Sequence, residues 1–233
     1  HSVNTIAAQL VTMTGPSAVT ALAMACGVKS PLENVYSVAL GTPLVSPLDM
    51  AGAFSVFANL GIKHDPFLFW RVEDAFGRVL FERIVQNKKV LDPALAYQVV
   101  DMMKAVVEEG SGRSIRQLGF EGPAAGKTGT TDNYKDAWFT GFTPSLCVSV
   151  WTGFDKNNRL KSTRGTGITG GVGAAPIWAD FMINAMKGEP EREFSVPSNI
   201  RFEAVDPSTG CAPEPDGPVS SVPLKTGQAI CGE

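Results

Sequence analysis

The sequence has few of the residues from which metal sites and nucleic-acid interfaces are built. It contains two histidines, His1 and His64, and four cysteines, none of them in a Cys-x-x-Cys spacing, so nothing supports a zinc site. Its 20 Lys and Arg residues are outnumbered by 23 Asp and Glu residues, and the net charge of -3 leaves no positive surplus for a phosphate backbone. We therefore expect no metal, no other cofactor and no nucleic-acid partner.

Long apolar runs are also missing. Apolar stretches such as 137–142 and 146–150 are broken by polar residues or proline well before the roughly 18 residues that a membrane span needs. We expect no span here, and the first residues lack the basic and apolar regions of a signal peptide. The 233 residues are 44% hydrophobic and 18% charged, which is typical of one large globular domain, alone or with an appendage.

The four cysteines fall into two groups. Cys26 and Cys147 lie singly in apolar surroundings, which is typical of small buried side chains. Cys211 and Cys231 bracket a proline-rich segment, and they either remain free thiols or pair. A disulfide between them would close a loop of about 20 residues, stabilise the fold by about 3 kcal/mol and indicate an oxidising compartment.

Apolar periodicity and capping residues predict five helices, four before the main run of strands and one after it. The predicted helices run through Ile6 to Met13, over 17–26, over 47–60 behind Ser46, from Asp92 to just before Gly110, and over about 175–187. Branched and aromatic runs predict a hairpin from 67–72 and 78–84, and then strands over 127–131, 137–143 and 146–154. The last 40 or so residues are rich in proline and are predicted to be mostly loop. This order indicates an α+β fold, with helices on both sides of an antiparallel sheet.

A Lys-Thr-Gly tripeptide opens the first strand of that sheet. Strand alternation puts Lys127 and Gly129 on one face, and Thr128 and Thr130 on the other. The glycine lets a peptide lie against the strand and pair with its main chain, while a nearby cation and hydroxyls bind a carboxylate. The same tripeptide recurs at 225–227, so a chance occurrence is the competing interpretation.

A second candidate motif, Ser2-Val3-Asn4, stands immediately before the first predicted helix. Residues two apart cannot share a helix face, so Ser2 and Asn4 can converge on one site only from a loop at the head of the helix. Asn4 is alternatively the N-cap of that helix, and the two roles are compatible.

Three further patterns have simpler interpretations. The glycines at 165, 167 and 170 match a dinucleotide fingerprint in letters, but no βαβ unit surrounds them, so we expect a flexible connection to the last helix. Basic residues at 156, 159, 161 and 164 either contact an anionic polymer or headgroup or form a solvated loop. Glu108 and Glu109 are adjacent and do not face each other as a catalytic pair would, so we expect them on the surface.

Five blocks of residues together resemble the transpeptidase domain of class A penicillin-binding proteins, in matching order and spacing across most of the chain. The blocks are Ser2-Val3-Asn4; Lys127-Thr128-Gly129-Thr130-Thr131; Asp136-Ala137-Trp138-Phe139 with Gly141 and Pro144; Gly170-Gly171 with Ala175-Pro176-Ile177-Trp178; and Asp206-Pro207-Ser208-Thr209-Gly210. The resemblance implies an α+β fold like that of serine β-lactamases, with an antiparallel sheet of about five strands flanked by helices. Residues 1–195 would be the larger part of this domain, and 196–233 a proline-rich tail packed on or next to it.

The resemblance also implies an activity, the cross-linking of peptidoglycan stem peptides ending in D-Ala-D-Ala, on the extracytoplasmic (periplasmic) side of the cytoplasmic membrane and with β-lactams as inhibitors. A serine would form the acyl-enzyme. Ser2 would relay a proton, Asn4 would hold the amide of the acyl chain, and Lys127 would bind the terminal carboxylate with the hydroxyls of Thr128 and Thr130. The Thr130 N–H would be half of the oxyanion hole.

One family motif is absent from the sequence. The nucleophile of the family is the serine of a Ser-x-x-Lys motif, and no lysine here has a serine three positions earlier. We expect the motif on a segment that precedes residue 1, with the family's glycosyltransferase domain and membrane anchor further upstream. The alternatives are a non-catalytic module that binds peptidoglycan peptides and a D,D-carboxypeptidase of the same fold.

Overall fold

The computed structural model describes residues 2–156 and 158–231, and every predicted helix is present in it. Ser46 and Asp92 cap their helices as the sequence predicts, because their side-chain oxygens accept hydrogen bonds from the N–H groups of Asp49 and Ala94. The α-helices of the described residues are α1 (Asn4–Thr14), α2 (Pro16–Cys26), α3 (Pro47–Ala58), α4 (Pro93–Glu108), α5 (Ser114–Gln117) and α6 (Gly170–Ala185). Short 3-10 turns span Tyr36–Leu40 and Asp132–Tyr134.

The strands of the described residues form four antiparallel sheets, in which β1 pairs with β4, β2 with β3, β5 with β6 and β7, and β8 with β9. The strands are β1 (Ile62–Lys63), β2 (Arg71–Glu73), β3 (Val79–Glu82), β4 (Lys88–Lys89), β5 (Ala125–Thr130), β6 (Asp136–Phe142), β7 (Cys147–Gly153), β8 (Ile200–Val205) and β9 (Ser220–Lys225). The α+β class with antiparallel pairing is thus confirmed. The expected count of about five strands is wrong for the described part of the central sheet, which has three, because the other strands pair only among themselves.

The central sheet lies between helices, and its two faces follow from the strand alternation. On one face Phe142 packs with Phe57 of α3 and Tyr97 of α4. On the other face Phe139 packs with Val107 of α4 and Trp178 of α6, and the Trp178 indole N–H donates to the Gly141 carbonyl at 3.2 Å. This two-sided burial fixes β5 at the edge of a rigid sheet.

The C-terminal segment forms a hairpin instead of the predicted loop. β8 and β9 pair in register from Ile200 opposite Lys225 to Val205 opposite Ser220. Pro223 fits in β9 because its carbonyl accepts a hydrogen bond from Gln98 of α4 at 2.9 Å, so its backbone faces away from β8 and needs no N–H. Cys211 and Cys231 are joined in a disulfide just beyond the two strands.

The last helix begins five residues before its predicted start, at Gly170 rather than about 175. Glycines at 170, 171 and 173 weaken the intrinsic helix signal, but packing against the central sheet overrides it. The segment before it is a small hairpin rather than a flexible connection, since Lys161 bridges to Gly167 and Ser162 N–H donates to the Thr166 carbonyl.

No individual helix of the described residues combines the length and the apolar character needed to cross a membrane. Helices α1 and α2 meet that test only when they are taken together, and the chain bends by 96° between them.

Candidate functional site

The centre of the candidate site is the side chain of Lys127 in β5. Its Nζ atom donates hydrogen bonds to Oγ of Ser2 and to the Thr128 carbonyl, both at 3.0 Å. Burial lowers the pKa of Lys127 below its usual value, because the ammonium has lost part of its hydration. The structure thus brings together two residues that the sequence singled out 125 positions apart.

Asn4 is placed differently from the prediction that it caps the first helix. The N-cap is Val3, Asn4 is the first residue of α1, and its exposed side chain makes no hydrogen bond to the rest of residues 2–156 and 158–231. The capping interpretation is therefore wrong. Asn4 nevertheless lies next to Val3 and two residues from Ser2, at the head of the helix.

The free edge of β5 exposes the main chain of two residues of the motif. In an antiparallel ladder the N–H and C=O of one residue point to the same side, and this side alternates along the strand. Thr131 N–H donates to the Asp136 carbonyl at 3.1 Å, so the groups of Gly129 and Lys127 point to β6 and those of Thr128 and Thr130 point away from it. An extended peptide can therefore pair with Thr128 and Thr130.

The hydroxyls of the same two threonines lie on the face opposite Lys127, and both have partners. Thr128 Oγ1 shares a hydrogen bond of 2.6 Å with Ser111 Oγ, in which either atom can donate. Thr130 Oγ1 accepts from the N–H of Gly170, the first residue of α6, at 3.0 Å. Sequence reasoning missed Ser111, because a serine between Gly110 and Gly112 after a helix has the ordinary composition of a turn.

Close packing explains the glycines around the motif. A Cβ atom on Gly129 would lie 3.0 Å from the Cβ of Trp138, and one on Gly170 would lie 2.5 Å from the Gly129 carbonyl oxygen and collide with that of Trp138. Gly171 passes equally close to the Ser111 carbonyl. These glycines let α6 begin directly against β5 and β6.

The other patterns noted in the sequence lie away from Lys127. Lys225, in the second Lys-Thr-Gly, ends β9, and its Nζ pairs with Oδ2 of Asp92 at 3.3 Å, which ties the tail to α4. Glu108 is exposed, as expected, and pairs with Arg116 at 2.6 Å. The described residues contain no group of three or more His, Cys, Asp and Glu side chains arranged to hold a metal ion.

Comparison with known proteins identifies the family. Residues 24–162 match the family model described as the penicillin binding protein transpeptidase domain, so this chain belongs to that family. It is 39% identical over 200 residues to penicillin-binding protein 1A of Aquifex aeolicus, covering 84% of this chain and 26% of the relative. It is 38% identical over 196 residues to penicillin-binding protein 2D of Bacillus subtilis, covering 81% and 27%. The chain is thus related to class A members and spans about a quarter of the length of these curated relatives.

Solved structures agree with this assignment. Penicillin-binding protein 1A from Haemophilus influenzae superposes with a TM-score of 0.85 at 25% identity, covering 95% of this chain and 38% of that one. PonA1 from Mycobacterium tuberculosis, in complex with penicillin V, gives a TM-score of 0.68 at 29% identity, covering 78% of this chain and 53% of that one. The fold described above is therefore that of a penicillin-binding transpeptidase domain.

Proposed function

We propose that this chain is the larger part of a D,D-transpeptidase domain that cross-links peptidoglycan stem peptides and is acylated by β-lactams. The observation that carries the proposal is the contact of Lys127 with Ser2 beside a free strand edge. A cation, a hydroxyl and open main-chain groups at one place match the needs of a peptide that ends in a carboxylate.

The nucleophile in this proposal is a serine in a Ser-x-x-Lys segment that precedes residue 1. Its Oγ attacks the penultimate D-alanyl carbonyl, the C–N bond breaks, and D-alanine leaves with a proton. An amine of a second stem peptide then attacks the ester, forms the cross-linking amide and returns the serine its proton. Ser2 relays protons between the leaving or entering amine and the lysine of that motif.

The remaining residues bind the substrate. Lys127 attracts the terminal carboxylate, and Asn4 holds an amide of the acyl chain. The Thr130 N–H, which points to the free edge, supplies half of the oxyanion hole. The Thr130 hydroxyl accepts from Gly170 and still has its own proton to donate to the carboxylate, while Thr128 can donate when Ser111 supplies the proton of their shared bond.

The same proposal assigns the parts of the chain and its place in the cell. Residues 1–195 belong to the transpeptidase domain and 196–233 to a C-terminal addition, whose strand β9 packs on α4. The domain works in the cell envelope, on the extracytoplasmic side of the cytoplasmic membrane, where its substrate lies. A disulfide between Cys211 and Cys231 is compatible with such an oxidising location.

The test is acylation of the whole protein by penicillin, followed by intact-mass spectrometry. Lys127→Ala is compared with Lys225→Ala, the same substitution in the same tripeptide away from the site. We expect wild type and Lys225→Ala to acylate alike and Lys127→Ala to acylate about 100-fold more slowly. Absence of an adduct on wild type would support a non-catalytic module, and an unimpaired Lys127→Ala would reject the site assignment.

A second readout separates transpeptidation from hydrolysis. A donor peptide ending in D-Ala-D-Ala is incubated with and without an acceptor amine, and the products are weighed by mass spectrometry. We expect the amide adduct to form at the expense of the hydrolysed peptide. Hydrolysis alone at all amine concentrations would identify a D,D-carboxypeptidase.

A further inference from the structure

A hairpin beside the motif strand, at residues 158–168, presents three cations that the proposed chemistry leaves unused. Arg159, Lys161 and Arg164 are exposed, and none of them forms an ion pair with the described part of the chain. The chain as a whole is net negative at -3, so this concentration of positive charge stands out. We call these three residues, on their hairpin, the basic hairpin.

The basic hairpin is built into the fold rather than solvated freely. Leu160 is 5% exposed, and its N–H donates to the Tyr134 carbonyl at 2.7 Å. The Arg159 guanidinium lies over the Tyr134 ring, 5.1 Å from its centroid. Because Leu160 is anchored, its exposed neighbours Arg159 and Lys161 are held at the turn that follows β5.

That turn has a strained backbone. Asn133 and Tyr134 both adopt left-handed conformations, with φ of 60° and 56°. Two consecutive non-glycine residues in this region are unfavourable and persist only where their surroundings determine them. The Leu160 hydrogen bond and the Arg159 stack hold Tyr134 in this conformation. The same contacts keep the basic hairpin against the turn that follows the motif strand.

The proposed function sets the direction in which a donor peptide would run. With its terminal carboxylate at Lys127 and its main chain paired with Thr128 and Thr130, the peptide lies antiparallel to β5. The penultimate residue, whose carbonyl lies at the Thr130 N–H, is opposite Thr130, so at one residue per strand position the residues three and four positions before the C-terminus lie opposite Asp132 and Asn133 of the turn. The basic hairpin is held against Tyr134 of this turn.

Resting on that proposed function, we infer that the basic hairpin binds a carboxylate of the donor peptide three to four residues before its C-terminus. Arg159 and Lys161 would contact the carboxylate, with Arg164 adding to the positive potential. Two carboxylates of the adjoining turn reduce this potential without cancelling it, because the three cations outnumber Asp132, which is exposed, and Asp136, which accepts hydrogen bonds from Trp151 and Thr131. The site would therefore select acidic donor peptides over neutral ones.

Two matched donor peptides test this inference on the whole protein. Both end in D-Ala-D-Ala and differ only in Glu or Gln at the third residue before the terminal D-Ala, and D-alanine release gives kcat/KM. In Arg159→Gln/Lys161→Gln we expect kcat/KM for the Glu peptide to fall about fivefold, with the Gln peptide unchanged. Arg159→Lys, which keeps the charge, should retain most of the preference, and Lys88→Gln/Lys89→Gln in β4 removes the same charge elsewhere and should have no effect.

The outcomes separate this inference from the proposed function. An equal loss of kcat/KM on both peptides, or no loss on either, would overturn the inference. Binding of polyglutamate is measured as well. Variants that weaken this binding but leave the peptide preference unchanged would also overturn the inference, since they would indicate an anionic polymer as the partner. Penicillin acylation serves as the internal standard, because penicillin has no counterpart of the donor-peptide residue that would contact the basic hairpin. If wild type is not acylated by penicillin, the proposed function itself fails, whereas normal acylation without a charge preference rejects the basic hairpin alone.

Discussion

The Lys127 ammonium donates a hydrogen bond to the Ser2 hydroxyl across 3.0 Å, and this contact joins strand β5 to the turn before α1. To make this contact, the Lys127 ammonium loses part of its hydration shell on folding. The contact therefore has consequences for the stability of the fold as well as for ligand binding.

Replacing Lys127 with Met should stabilise the fold while removing activity. Burial lowers the Lys127 pKa in the folded state, so the unfolded chain binds more protons as pH approaches the ordinary value of 10.5, and stability rises with pH through this window. At neutral pH the buried charge is a cost, and Lys127→Met should raise Tm by about 1–3 °C. Calorimetry near neutral pH and near pH 10 should show a smaller difference in Tm between Lys127→Met and wild type at the higher pH. An unchanged or lower Tm at neutral pH would contradict this interpretation.

Adding one methyl group at Gly170 should disturb the site. A Cβ atom there would collide with the Trp138 carbonyl and press on Gly129, so Gly170→Ala should lower the free energy of unfolding by about 1–3 kcal/mol and slow acylation by penicillin. Gly52→Ala in α3 is the control, because nothing lies within 4 Å of its Cβ position, and it should stabilise by about 0.5–1 kcal/mol. Urea unfolding measures both. Equal effects of the two substitutions would refute the steric argument.

The buried carboxylate of Asp49 should make stability depend on acid pH. Burial raises its pKa, but hydrogen bonds from Ser30 and from the Lys29 N–H outweigh this effect and leave the pKa lowered. The stabilisation is present above the ordinary aspartate pKa and is lost as pH falls through the lower folded value. Asp49→Asn should cost about 1–3 kcal/mol near pH 7, and urea titrations near pH 3 should show a smaller difference. A cost that does not change with pH would mean that shape, not charge, matters at this position.

Opening the disulfide should loosen the tail before the central sheet. Cys211 and Cys231 close a loop with a sequence separation of 20, and Cys211→Ser/Cys231→Ser should lower stability by up to about 3 kcal/mol. Hydrogen exchange should rise first in β8 and β9, while β5 to β7 stay protected. A reductant should lower the Tm of wild type and leave that of the double variant unchanged. Equal sensitivity of both proteins to the reductant would mean that it lowers the Tm by a route other than opening this disulfide.

Features governed by local pattern were predictable from the sequence. The caps at Ser46 and Asp92 located the starts of α3 and α4. Strand alternation placed the Lys127 side chain and the hydroxyls of Thr128 and Thr130 on different faces of β5. Features set by distant contacts were not. Ser111 joins the site only because the end of α4 meets Thr128.

The errors have the same origin. Proline suggested a loop for the tail, yet Pro223 turns its backbone toward Gln98 and leaves the ladder with β8 intact. Glycines concealed the start of α6, which begins where Gly170 N–H meets Thr130. A cap was expected from Asn4 on propensity alone, whereas the chain enters α1 one residue earlier, at Val3.

The open edge of β5 also limits which chains can remain on it. Gly126 is buried, so main-chain pairing is available only at Thr128 and Thr130, and each such bond contributes about 1 kcal/mol net. A strand from an unfolding neighbouring molecule would gain too little binding free energy from these bonds to remain. The short length of the open edge therefore disfavours edge-to-edge aggregation. On the proposed function, the charges at Lys127 and at the basic hairpin add to these two bonds, so a short peptide that carries both carboxylates is held where a longer, neutral one is released.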